Sequence, residues 1–368
     1  FLISPSRAPC GVESFARLVA AHWPQAGEEA RTLAVSGRPG DILAIWTALS
    51  DVEALIVNVP VVAWKKVLLT PFVALVLAAI RGRASILVLH EWVDLDWRRR
   101  LVVGAYALFA RRLVFSSPHV RAGFSRNGAL RRLRKPSAIA PIPSNIPPVE
   151  PSAEPRFAAR LREARAEGRL VIGQFGSIYP RKQSDFVLDV AARLARSGRP
   201  VLCLFIGDFI KGMDRVEEDF GAKVRRLGME ETVLVTGYVE DFGEMNALFR
   251  AADCFLYRFP EGLTSRRGSV LACLQAGRPV IVNAPRDASE FDHHRAYRRS
   301  VEGGALRLLD HAAGVDEYVD ALATIGAAGV DEPRSAQQYE ECWRDAAAAL
   351  VDALGPATPR PASTPVDA

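Results

Sequence analysis

Short apolar, β-rich runs alternate with helix-periodic segments along nearly the whole chain, and this alternation restricts the fold more than any other feature. In the first half, strand-like runs at residues 1–4, 32–36, 54–58, 85–89, 113–116 and 138–142 are separated by helical spacing at 12–22, 41–49, 67–80 and 101–110. Strands joined through helices are the signature of βαβ units and a parallel sheet. Asp41 is expected to cap its helix. Residues 147–155 break the rhythm with Pro147, Pro148, Pro151 and Pro155 and read as a linker. The alternation then restarts. Helices are expected at 156–167, 184–197, 215–227, 244–251 and 269–276, with strands at 170–175, 201–206, 233–236, 254–257 and 279–283. A chain of 368 residues has room for two such α/β domains.

Charge separates the two halves. Residues 1–150 carry 19 Lys and Arg against 10 Asp and Glu, a net of +9, whereas the remainder nets −4. A basic half suits an anionic partner: nucleic acid, an anionic membrane surface or an anionic substrate. A solvated basic surface is the plainer alternative. The five cysteines form no CxxC pair, which fits reduced thiols in a cytoplasmic protein. The most apolar stretch, 67–80, is too short to span a bilayer and reads as a buried helix or one lying at a membrane surface. His293 and His294 are adjacent rather than at ligand spacing, and no His/Cys ligand cluster occurs, so no metal site is expected.

Two strand exits carry chemistry. In an open α/β sheet, ligands bind beyond the carboxyl ends of the strands. The strand at 170–175 runs into Gly176, Ser177, Arg181 and Lys182 just before a helix, placing a permissive backbone and cations where a phosphate could sit. The alternative leaves Lys182 in solvent. The strand at 254–257 leads into Glu261, Thr264, Ser265, Arg266, Arg267, Gly268 and Ser269 at a helix start. Unpaired amides, the helix dipole and two arginines there favour an anion. A plain N-cap by Ser269 is the alternative.

Three stretches of the second half carry a family resemblance: "FGSIYPRKQSD" at 175–185, "VLVTGYVED" at 233–241 and "LFRAADCFLYRFPEGLTSRRGSVLACLQAGRPVIV" at 248–282. They resemble the phosphate loop, nucleobase strand and donor segment of retaining GT-B glycosyltransferases of family 4, the glycosyl transferases group 1. In the first half, "APCGVESFARLVA" at 8–20 and "VLHEW" at 88–92 resemble that family's opening glycine loop and strand-end histidine. The chain also departs from the pattern. Ser177 stands where the family has an arginine, and Thr264 and Ala272 stand where it has two glutamates. "EGLTSRRGSV" looks like an arginine-rich subgroup of the motif.

The resemblance implies two Rossmann-like domains with parallel sheets facing across a cleft. It implies transfer of a sugar from a nucleotide-diphosphate sugar with retention, and neither a cofactor nor an obligatory metal. Lys182, Arg267 and His90 are the implied catalytic groups. Gly11, Gly176, Ser177, Lys182, Thr264, Ser265, Arg266, Arg267, Gly268 and Ser269 would hold the diphosphate, with an arginine replacing the one missing at 177. Glu261, Tyr238, Val239 and Asp208 would meet the sugar or nucleoside. For His90 a backbone-satisfied strand end, for Gly11 an ordinary turn, and for Tyr238 and Val239 a core position remain open.

The expected division is an acceptor-binding domain at 1–147, a linker and helix at 148–168, and a nucleotide-sugar-binding domain at 169–335. A helix at 336–354 would pack back on the first domain, and a disordered tail would fill 355–368. The basic first domain suggests a cytoplasmic enzyme resting peripherally on the inner face of a membrane. Its acceptor would be a lipid-linked or polysaccharide intermediate of bacterial envelope synthesis, and no nucleic acid is expected. A basic nucleic-acid-binding protein, a sugar-nucleotide epimerase of the same fold and an inactive scaffold are the alternatives.

Overall fold

The structure is a computed structural model describing residues 1–5, 10–23, 29–61, 64, 69–210, 215–325 and 336–355. The chain divides into two compact units: Phe1–Ala140 together with the chain from Trp343 on, and Pro141–Cys342.

The first unit runs β1 (Leu2–Ile3), α1 (Gly11–Ala21), β2 (Leu33–Ala34), α2 (Gly40–Asp51), β3 (Ala54–Val59), α3 (Leu69–Ile80), β4 (Ala84–Leu89), α4 (Trp97–Phe109), β5 (Arg112–Phe115), α5 (Pro118–Ser125), α6 (Gly128–Arg131) and β6 (Ser137–Ile139). Strands β3, β4, β5 and β6 form a four-stranded sheet in that order, and β1 pairs with β2; every pairing is parallel. Strands β3 and β4 are apolar apart from Asn58 and Ser85 and buried beyond their first residues, as strands covered on both faces are. In α3, Thr70, Pro71, Ala74, Leu75 and Ala78 are buried, while Leu69 and Ile80 are exposed. No helix among the described residues is long and apolar enough to cross a membrane.

The expected Asp41 cap is not what forms. Pro39 holds the N-cap position of α2, and the Asp41 carboxylate in the first turn accepts the backbone N–H groups of Gly37 at 2.5 Å and Arg38 at 3.1 Å. A carboxylate there still complements the helix dipole. Helix α5 begins on a signal that hydropathy passes over: the Ser117 hydroxyl accepts from Val120 N at 3.2 Å, with Pro118 at the first helical position.

The second unit runs α7 (Ala158–Ala166), β7 (Leu170–Phe175), α8 (Ser184–Arg196), β8 (Val201–Ile206), α9 (Val216–Arg226), β9 (Val233–Val235), α10 (Phe242–Ala251), β10 (Cys254–Tyr257), α11 (Gly268–Gln275), β11 (Val280–Asn283), α12 (Arg295–Glu302), β12 (Leu306–Leu309) and α13 (Val315–Ile325). Its six parallel strands are ordered β12-β11-β10-β7-β8-β9. The strand sequence therefore reverses direction between β7 and β10, a doubly wound sheet with its switch point at that pair. Cys254 and Phe255 of β10 pair with Ile172 and Gly173 of β7. The proline-rich stretch lies against α10: Asn246 donates to Pro147 O at 3.0 Å and Ser152 N to Gly243 O at 3.0 Å.

The last helix, α14 (Ala336–Leu354), starts within the second unit and continues into the first from Trp343. There the fully buried Trp343 ring lies 5.8 Å from Phe15 and 6.0 Å from His22, and Arg112 donates to Ala353 O at 2.8 Å. The expected tail beyond residue 355 lies outside the described residues.

Candidate active site at the switch point of the second sheet

The loops leaving β7 and β10 bring the sequence-predicted cations together. After β7 the chain turns at Gly176, whose φ of +104° belongs to the region glycine reaches freely. A Cβ there would meet the end of the Lys182 side chain, which would have to shift, so the turn calls for glycine through its conformation. A single 3₁₀ turn, Pro180–Lys182, then folds Lys182 back under the strand end. Its side chain is not solvated: Lys182 is 4% exposed, and its ammonium donates to the Phe175 carbonyl. The nitrogen also lies 5.5 Å from the centre of the Tyr257 ring. Burial, with Arg267 adding to it, lowers the Lys182 pKa to about 7.

Tyr257 joins the two strands at the switch point. Its hydroxyl accepts from Phe175 N at 3.0 Å, donates to Phe175 O at 3.1 Å and lies 3.4 Å from Cys273 Sγ. The loop after β10 is fixed by side chains distant in sequence. Asn283 accepts from Phe259 N at 2.9 Å and donates back to Phe259 O at 2.8 Å. Glu290 accepts both the amide and the hydroxyl of Ser265 at 2.9 Å.

Helix α11 then starts with Arg267 at its N-cap position and no side-chain cap. Ser269 does not cap; it lies in the first turn, and its Cβ is 3.7 Å from the position a Gly176 Cβ would take. The uncapped turn therefore sits beside the Gly176 turn, where its amides and dipole favour an anion. The Arg267 guanidinium is held on three sides. It donates to Tyr179 Oη at 3.2 Å and to Glu261 Oε1 at 2.5 Å, and stacks 4.4 Å from the Phe259 ring centre. The Tyr297 hydroxyl donates to the Arg267 carbonyl at 2.8 Å.

The remaining predicted residues distribute as follows. Thr264 and Ser265 are buried beneath the loop, and Ser177 is exposed. Thr264 Oγ1 is buried without a hydrogen-bond partner among the described residues. Asp208 lies at the end of β8 and accepts from Phe209 N at 2.8 Å. Tyr238 is 56% exposed whereas Val239 belongs to the core; Arg156 donates to Tyr238 O at 3.0 Å. Gly11 and His90 belong to the first unit. Gly11 opens α1, and the buried His90 donates from Nε2 to Asn58 Oδ1 at 3.0 Å, with its ring 4.8 Å from Phe15. A side chain, not the backbone, thus holds that nitrogen. His294, from the adjacent pair, lies 3.1 Å through Nε2 from Ile142 O. Among the described residues no three or more His, Cys, Asp or Glu side chains group as metal ligands would.

Sequence reasoning overlooked Tyr179, Tyr257, Asn283, Glu290 and Tyr297. Tyr179 alone had a local signal, standing between Gly176 and Lys182. The others act across the sheet, where spacing along the chain carries no information.

Comparisons with known proteins bear on the family and the fold. Residues 169–325 match the family model of the Glycosyl transferases group 1. No curated protein matches the chain by sequence. Among solved structures, Anabaena Alr3699/HepE in complex with UDP and glucose has a TM-score of 0.60 at 14% identity, covering 96% of this chain and 94% of that one. A glycosyltransferase from Rickettsia africae ESF-5 has a TM-score of 0.55 at 12% identity, covering 96% and 93%. OtsA in its apo form has a TM-score of 0.59 at 12% identity, covering 87% and 78%. The fold is GT-B, and residues 169–325 form a glycosyl transferases group 1 domain, whose enzyme class is glycosyltransferase.

Proposed function

We propose that this chain transfers a sugar, with retention, from a nucleoside-diphosphate sugar bound at the β7/β10 switch point. The observation that carries the reading is the buried Lys182 ammonium beside Arg267 and the uncapped turn of α11. As the glycosidic bond breaks, negative charge grows on the departing diphosphate. Fixed cations and amides already aimed at that charge stabilise the transition state more than the ground state. Lys182, Arg267 and the amide of Ser269 are the groups in place for this, with Gly176 giving the phosphates room. Arg266 adds positive charge alongside and takes over, with Arg267, from the arginine absent at Ser177. The exposed Tyr238 ring suits the nucleoside. In the first unit, His90 is proposed for the acceptor.

UDP is the first nucleotide to test, because the Anabaena structure of the same fold holds UDP. A thermal-shift screen against UDP-, GDP-, ADP- and dTDP-sugars, followed by calorimetry, is expected to single out one nucleotide. At 100 times its Kd that ligand adds about 2.7 kcal/mol to stability. No shift with any of the four overturns the donor-site reading.

The acceptor we propose is a lipid-linked or polysaccharide intermediate met at an anionic membrane surface. Large apolar side chains stand exposed on three consecutive helices of the first unit, among them Leu43 on α2, Leu69 and Ile80 on α3, and Trp97 and Leu101 on α4. Arginines accompany them: Arg81 stacks 3.6 Å from the Trp46 ring centre, and Arg98, Arg99 and Arg100 follow Trp97. Apolar tips beside arginines fit an interface of acyl chains and lipid phosphates. Reversing the charge of residues 98–100 to Glu is expected to weaken flotation with anionic vesicles by about 100-fold, from roughly 1 kcal/mol per basic residue. Equal flotation of wild type and variant at low salt rejects the surface.

A further inference from the structure

Glu261 is the sole acid between Arg258 and Ser269. Its side chain is 8% exposed and surrounded by guanidinium groups. Arg267 Nη2 lies 2.5 Å and Arg266 Nη2 3.5 Å from Oε1, and Arg181 Nη2 lies 3.7 Å from Oε2. Arg181 comes from the loop after β7 and the other two from the loop after β10, so one carboxylate links both loops of the switch point. Burial favours the protonated acid, but Arg267 first, a backbone hydrogen bond and then Arg266 outweigh it and hold the carboxyl below its ordinary pKa. The turn delivering it is equally constrained. Gly262 has φ +78°, and a Cβ there would collide with the Ala284 carbonyl.

We infer that Glu261 is a positioning residue that sets Arg267 and Arg181 for the donor diphosphate, rather than a contact to the donor sugar. The inference rests on the donor-site reading above. Several guanidinium groups converging on one anion site repel each other while the site is empty. A buried counter-charge keeps them converged, so the diphosphate meets cations already in place. Oε1 is committed to Arg267, while Oε2 faces Arg181 and is buried without a hydrogen-bond partner among the described residues, so a sugar hydroxyl could reach only Oε2, and the comparison of free nucleoside diphosphate with nucleotide sugar tests that contact.

Calorimetry with the free nucleoside diphosphate and with the matching nucleotide sugar separates the two roles. The variants are Glu261→Ala, Glu261→Gln, Arg267→Ala and the Glu261→Ala/Arg267→Ala double. The expected result is at least a tenfold loss of affinity in Glu261→Ala for both ligands alike. A smaller loss is expected in Glu261→Gln, which keeps the acceptor. The Glu261→Ala effect should be largely absent once Arg267 is already gone, because the two act as a unit. Unchanged nucleoside-diphosphate affinity with weakened nucleotide-sugar affinity overturns the inference in favour of a sugar contact. Tighter nucleoside-diphosphate binding in Glu261→Gln overturns it in favour of simple charge competition. Failure of every nucleoside diphosphate to bind the wild type overturns the donor-site reading, and this inference with it. Glu261→Gln preserves shape and keeps the test decisive if the alanine variant does not fold.

Discussion

Lys182→Met should lower kcat by about 100- to 1,000-fold, the range seen when one pre-placed donor to developing negative charge is removed. Methionine retains a flexible apolar stem in the buried slot, so lost charge rather than lost packing dominates. The pH dependence provides a sharper test. The Lys182 pKa lies at about 7, through burial and then Arg267. A bound diphosphate adds negative charge beside the ammonium and raises that pKa. Binding therefore takes up a proton above pH 7, and donor affinity falls by up to tenfold per pH unit as pH rises. Calorimetry at pH 8 in two buffers of different ionisation enthalpy should report proton uptake in the wild type and none in Lys182→Met. Equal uptake in both excludes Lys182 as the titrating group.

The same group has a consequence for stability, with the opposite trend. The unfolded chain holds its Lys182 proton up to the ordinary lysine value of 10.5, whereas the folded protein releases it near 7. Between these values the unfolded state binds more protons, so stability rises with pH across that window by up to about 1.4 kcal/mol per unit. Below pH 7 the full penalty of a buried charge is present. The methionine variant should lose that slope.

Trp343→Ala is expected to produce the largest loss of stability. The ring is fully buried beside Phe15 and His22. Deleting a buried aromatic side chain costs about 3–5 kcal/mol, through lost transfer energy and the cavity left behind. For a unit of this size that corresponds to a fall in Tm of roughly 6–20 °C. Thermal melts followed by circular dichroism check it; a shift of less than about 2 °C would mean that α14 contributes little to the first unit.

The sequence displayed the order of elements because both sheets are built from short apolar strands joined through helices. It did not display residues 295–325. Strand β12, LRLL, is a sheet edge with one fully buried residue, and α12, RAYRRSVE, is too polar to register as a core helix. Strand order was also out of reach, since the reversal between β7 and β10 depends on which neighbours pair. Within the site, Lys182 and Arg267 were legible because each stands at a strand exit beside glycine. What orients them was not. Arg181 and Glu261 are 80 positions apart, and Ser265 and Glu290 meet only because their loops share one end of the sheet.

The first unit is discontinuous: it holds Phe1–Ala140 and recovers its last helix only from Trp343 onward. During synthesis some 200 residues of the second unit emerge between these pieces. The second unit can therefore finish folding while the first still lacks the helix that covers Phe15. The Arg112–Ala353 hydrogen bond, 241 positions apart, closes last and must gather a loop of that length. The half of the molecule that is made first is thus the half that is completed last.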